Sequence, residues 1–245
     1  MTTADGPHRA DGWTAAVRQR LGLGRLLPLG GPADGAWISE RAAVAVLRTA
    51  VAGAGPGPAL GELRISVADP DGAPLAEVEA PPSALRPGPL RIEAEMSAVS
   101  GQPLPAAAEA LRAALLTAAG QRLGLVVAAV DVRVTELLDA APERPAPAPA
   151  EVRATEAEGV AGTAAAGVPG VVTLTRVLGH AVHARPGHVR VELATASDHR
   201  ALDVVRAVRG AVAAAVEGHP SVAVLVTAVV ERGRVQGGSG IRARP

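Results

Sequence analysis

Three histidines, His180, His183 and His188, fall in the stretch HAVHARPGH. Neutral imidazoles ligate transition metals, so a set this close suggests a metal site. The plainer reading is a polar loop between two strands. No acidic residue lies inside the cluster, and Pro186-Gly187 reads as a turn. His199 and His219 read as a helix start and a helix-end neighbour. Glu93 and Glu95 are paired carboxylates, but they alternate on the outward face of a strand beside Arg91. That pattern describes a solvated charge ladder rather than an acid–base pair.

The stretch GVAGTAAAGVPGVVTL, residues 159–174, tests for a phosphate loop. Such a loop runs from strand to helix and usually carries a Lys. Here the order is helix, turn, strand, and the chain has no Lys. GLGRLLPLGG (22–31) and QGGSG (236–240) lack a flanking βαβ unit. Gly159 and Gly162 have the spacing of an RNA-clamping G-x-x-G loop, without a basic residue to meet phosphates. There is no G-x-S-x-G elbow and no Cys nucleophile. The reading is a protein that is not an enzyme, with no cofactor and no evident small-molecule substrate.

Composition narrows the class further. Of 245 residues, 48% are hydrophobic, enough to build a core. There is no Phe, Tyr or Cys, and only Trp13 and Trp37 are aromatic, so that core is predicted to be Val, Leu, Ile and Ala. All 24 basic residues are Arg, and Asn is also missing. Phe, Tyr, Lys and Asn have AT-rich codons, so a high-GC genome of the actinomycete kind explains the bias. Formal net charge is zero, with both signs interspersed. No basic stripe or stacking aromatics point to nucleic acid. The N-terminal MTTADGPHRADG has no signal-peptide core. LGLVVAAV (123–130) is far short of the ~20 residues of a membrane span. The expected location is the cytoplasm.

Organisation follows from composition shifts and periodicity. APERPAPAPA (141–150) reads as a semi-rigid Ala/Pro linker. It divides an N-terminal arm (1–36) and a first module (37–140) from a second module (151–232) and a tail (233–245) predicted to be disordered. Each module reads α-β-β-α-β, so the fold class is α+β. Two tandem modules are expected, each a small, mainly antiparallel sheet with helices on one face. Ser39 is predicted to cap the first helix, with Leu47 and Val51 on its buried stripe. Thr155 and Glu158 have capping-box spacing, and Ser197 is placed as the cap of the last helix. Pro105 and Gly120 are read as the start and stop of the helix between them. Strict alternation marks strands in ELRISVA (62–68), LRIEAEM (90–96), HVRVELA (188–194) and VVAAVDVRVTEL (126–137). Aligning Arg112 with Arg206 and Val134 with Val226 makes the second copy about two residues shorter.

Two features point to association. Residues 11–29 put Trp13, Val17 and Leu21 on one helical face, suited to packing on the chain's own domain, a partner or a membrane surface. In SVAVLVTAVV (221–230), Leu225 and Val229 make the outward face apolar as well, which suggests burial between layers, domains or subunits. Both Trp lie in the first half, so their fluorescence is expected to report on it alone.

The run GVAGTAAAGVPGVVTL, HVRVELA, a long helix and SVAVLVTAVV resembles the alkaline shock protein family of bacterial envelope stress response. Pro169, Gly170 and Val171 match its turn. The first half matches more loosely, through AWISERAAVAVL and LGLVVAAVDVRVTEL, and departs at GPGPALGEL and in its long 69–89 segment. The resemblance covers most of 37–137 and 154–230. It implies a non-catalytic scaffold or adaptor that binds itself, related proteins or a small membrane-anchoring protein at the inner membrane face. The alternative is a metal- or ligand-binding protein using His180, His183 and His188.

Overall fold

Alternating apolar residues put one face of each long strand into a core, and the protein's computed structural model shows where those faces meet. It describes residues 23–53, 59–101, 103–140 and 152–231. The chain order is β1 (Leu26–Pro28), β2 (Ala36–Ser39), α1 (Glu40–Gly53), β3 (Ala59–Val67), β4 (Leu90–Val99), α2 (Leu104–Ala118) and β5 (Val127–Leu138). Then come β6 (Ala154–Thr155), α3 (Gly159–Ala166), β7 (Val171–Thr175), β8 (Val182–Arg185), β9 (His188–Ala196), α4 (Ala201–Ala215) and β10 (Ser221–Val230). The fold is α+β. The smaller sheet has the order β3-β4-β5, and the larger β1-β2-β10-β9-β7-β6 with β8 also on β9.

The α-β-β-α-β plan occurs twice, as α1-β3-β4-α2-β5 and α3-β7-β9-α4-β10. In each copy the first two strands pair antiparallel and the third lies parallel to the second. A strand that returns through a helical crossover must re-enter in the same direction, so each sheet is mixed. Arg112 is the ninth residue of α2 and Arg209 the ninth of α4. Arg209, not Arg206, is therefore the counterpart of Arg112. The shortening lies after the helix, where the first copy inserts a π-turn over Ala119–Leu123 that Gly124 closes at φ +89°. Gly120 sits inside that turn and does not stop the helix.

The inward faces follow the alternation. Leu63, Ile65 and Val67 of β3, Leu90, Ile92, Ala94 and Met96 of β4, and Val189, Val191 and Leu193 of β9 are all buried. They meet the stripes of all four helices, including Leu47 and Val51 of α1 and Leu111 and Leu115 of α2. Fully burying one such side chain is worth about 1.5–3 kcal/mol. Among the described residues no aromatic ring enters this core. The inner faces of both sheets share it, so boundaries at 37 and 151 do not separate two cores. The join is β2: residues preceding α1 pair parallel with β10 of the second copy.

Capping departs from the local motifs in two places. Ser39 does cap α1, its Oγ accepting the Ala42 N–H at 3.2 Å. Thr155, however, is paired with Leu174 in β6, and α3 starts from Glu158 with no side-chain cap. Helix α4 starts from Arg200, so Ser197 lies too early. Gly167 ends α3, and Gly170 at φ +93° turns the chain into β7. The linker 141–150, the arm with Trp13, Val17 and Leu21, and residues 233–245 lie outside the described residues.

One polar clamp ties the chain entering β1 to α1 and β3. Glu40 accepts from the Arg25 backbone N–H (3.2 Å), from Arg25 Nε and NH2 (3.2 and 2.9 Å), and from the Ile65 N–H (3.4 Å). Burial raises the carboxyl pKa, but the Arg25 hydrogen bonds outweigh it and hold the group below the ordinary Glu value. A depressed carboxyl pKa stabilises the fold above the unfolded-state value and loses that contribution as pH falls through the folded one. Glu40→Gln is expected to cost about 1–2 kcal/mol in urea unfolding at pH 7. The gap to the parent should shrink by pH 3, and a gap of constant size would contradict an ionic origin.

Candidate protein-interaction site

The outward face of the larger sheet carries the histidine cluster. The β8–β9 register sets His183 opposite Arg190 and Arg185 opposite His188. His180 lies in the exposed loop before β8. His188 is buried, with Nδ1 2.9 Å from Ser221 Oγ. Ser221 Oγ in turn donates to the Gly187 carbonyl at 3.1 Å. The serine proton therefore points to a carbonyl and Nδ1–H is the donor, which is not the arrangement of an activated nucleophile. Burial lowers the His188 pKa below the ordinary histidine value, which favours the neutral ring. Among the described residues no three His, Asp or Glu side chains converge as a metal site would require.

Arg190 and Glu192 face outward as the alternation predicts, yet Glu192 is fully buried. Its Oε2 accepts the Val177 and Leu178 N–H groups at 2.8 and 2.9 Å, and its Oε1 lies 3.5 Å from Arg190 NH2. The carboxylate fixes the loop before β8. Covering that face is the long 69–89 segment of the first copy. Leu85 N–H donates to Leu26 O at 2.9 Å and Glu77 N–H to Pro32 O at 3.1 Å, and Glu79 pairs with Arg185. Beneath it Leu225 packs with Leu23, Leu26, Trp37 and Val78 and is fully buried. Leu225 is thus covered by its own chain and offers no contact to a partner. A bulge between Val226 and Ala228 reverses the alternation, so Val229 turns to the core side rather than outward.

Among the described residues, the surface left open is a strand edge. In β10, Val222, Val224 and Val226 direct their backbone groups away from β9. Val224 N–H donates to Gly35 O at 2.9 Å, and β2 completes the edge. Arg209 reaches across the same edge: Nε donates to Val222 O (2.9 Å) and NH1 to Ala33 O (2.8 Å). In the first copy Arg112 Nε donates to Val130 O at 3.2 Å, the matching bond. There, among the described residues, no strand follows. Val134 is 38% exposed where its counterpart Val226 is 0% exposed, because β2 and α1 cover only the latter.

The other edge of the smaller sheet is blocked by side chains. Arg48 donates to Leu60 O and Gly61 O, and the Arg25–Glu40 clamp takes both backbone groups of Ile65. Such side-chain cover is a common way to blunt a free edge. Among the described residues β5 is the long edge left open. Its outward side carries Asp131 and Arg133, paired with Arg91 (2.6 Å) and Glu95. With Glu62, Arg64 and Glu93 these line a shallow hollow of about 410 Å³. Glu93 stands in register with Arg64 on one side and Asp131 on the other, and Glu95 with Arg133, so the exposed face is a charge ladder in which Asp131 takes its opposite diagonally, from Arg91. Sequence reasoning missed Arg112 and Arg209 as edge clamps. Their signal was present in the repeat, as an Arg at one position of both helices.

The chain matches no family model, no curated protein and no solved structure.

Proposed function

We propose that the protein is a non-catalytic scaffold or adaptor of the cytoplasm or its membrane face, acting by self-association or partner binding. One observation carries this reading: both edges carry an Arg clamp, but among the described residues the β5 edge has no strand beside it where the equivalent β10 edge holds β2. An unblocked edge of this length presents unpaired N–H and C=O groups that another strand can satisfy. The outward face that carries the histidines is occupied by the chain's own 69–89 segment, and those histidines are split between a loop, a strand and a buried bond to Ser221. Among the described residues no helix is long and apolar enough to cross a membrane, which suits a membrane role through an anchoring partner.

Light scattering on the full chain across micromolar concentrations, with crosslinking in the native host, tests the proposal. Oligomers, or a defined crosslinked partner, are expected. A strict monomer with no crosslinked partner would overturn it.

A further inference from the structure

We infer that the occupant of the β5 edge is a second copy of the same strand, paired antiparallel about a two-fold axis through Val132. The inference rests on the association reading above and names its partner. Bulges interrupt β5 at Ala128, between the Leu90 and Arg91 pairings, and at Thr135, between those of Met96 and Ser97. Val126 O accepts from Leu90 N–H and so points at β4. The first bulge reverses the alternation, so Val130, Val132 and Val134 direct their backbone groups to the open edge, as Arg112 on Val130 O confirms. The edge-directed run between the bulges is therefore centred on Val132.

That geometry is self-complementary. A two-fold at Val132 makes Val132 face its own copy, and Val130 face Val134, in hydrogen-bonded antiparallel pairs. Val130 O can still accept a second bond, since a carbonyl has two lone pairs. The intervening residues form the closer, non-hydrogen-bonded pairs, and these set Asp131 opposite Arg133 in both directions. The half-exposed Val134 gains the Val130 side chain of the other copy as cover. The two three-stranded sheets become one continuous sheet, and the outward charge ladder runs across the junction. A one-residue slip would break the opposite-charge pairing and turn edge groups away, so the register is specified. An interface of this kind is isologous and closes at the dimer.

Charge reversal tests the pairing. Asp131→Arg places Arg opposite Arg in both pairs, and Arg133→Asp places acid opposite acid. Each variant alone is expected to weaken association roughly tenfold or more, because like charges directly opposite destabilise a sheet. Mixed in equal amounts, the two variants put Arg opposite Asp at every pair, and association should return. Thermal unfolding checks that each variant folds. The chain has no Cys, so Val132→Cys supplies a second readout, and a short bismaleimide should crosslink it to itself. Reversals that leave association unchanged, with no self-crosslinking at Val132→Cys, would overturn the β5 pairing while leaving an association role intact. A monomer that crosslinks only to a different protein would do the same. A monomer with no partner would overturn both.

Discussion

Trp37→Ala is expected to lower the unfolding free energy by about 3–5 kcal/mol, the range for deleting a buried large side chain. Trp37 is 1% exposed and lies on β2 opposite Leu225. Its ring packs with Leu23, Leu26 and Val78, and Nε1 donates to Leu85 O at 3.3 Å. One residue therefore joins β2, the 69–89 segment and the outer face of the second copy. Truncation leaves a cavity between those layers and removes the donor that Leu85 O accepts. Among the described residues there is no other aromatic ring to fill the void. Chemical denaturation by circular dichroism measures the loss, and a change below about 1 kcal/mol would contradict this packing. Trp37 fluorescence reports on the second copy's sheet, although the residue belongs to the first half of the sequence.

Gly124→Ala should destabilise by about 2–5 kcal/mol, through two separate costs. At φ +89° an L-residue takes a left-handed strain of about 1–2 kcal/mol. A Cβ added there would also stand 2.5 Å from Leu202 Cβ and 2.9 Å from its Cδ2. Overpacking of that kind typically costs about 1–3 kcal/mol. The atom struck most closely is Leu202 Cβ, so Leu202→Ala in the same chain keeps the clash and is not expected to rescue it. Gly124 ends the π-turn of the first copy, and Leu202 opens α4 of the second. The substitution thus loosens the seam between copies. A thermal midpoint within a degree of the parent would contradict the close approach.

What was legible in the sequence was whatever a buried face writes at regular spacing. The alternation in β4 and β9, the span of β10 and the Gly167 stop all follow from local pattern, because a strand with one face in a core must repeat every second residue. The α-β-β-α-β repeat was legible for the same reason. Residues 36–39 were not. AWIS is buried throughout, so it carries no alternation, and its partner lies some 190 residues along the chain, as the Ser39–Thr227 bond shows (|i−j| 188). Glu192 lies on the outward face that the HVRVELA alternation gives it, yet it is buried. The loop that folds back onto its carboxylate, through the Val177 and Leu178 N–H groups, follows no period. The bulges that turn Val229 inward and centre the β5 edge on Val132 leave no mark in a run of Val, Ala and Thr. The capping pattern at Thr155 failed because pairing with Leu174 took that residue first. The interaction residues chosen from sequence were large apolar side chains, and Leu225 is covered from within. An open edge consists of backbone, which composition does not display.

Residue-resolved amide exchange on the intact chain tests the central claim most directly. Val224 N–H, bonded to Gly35 O within one chain, should stay protected at every concentration. The Val132 and Val134 amides should exchange freely in dilute solution and become protected as concentration rises, in step with association. Fast exchange at Val132 and Val134 in a sample already associated would contradict the account.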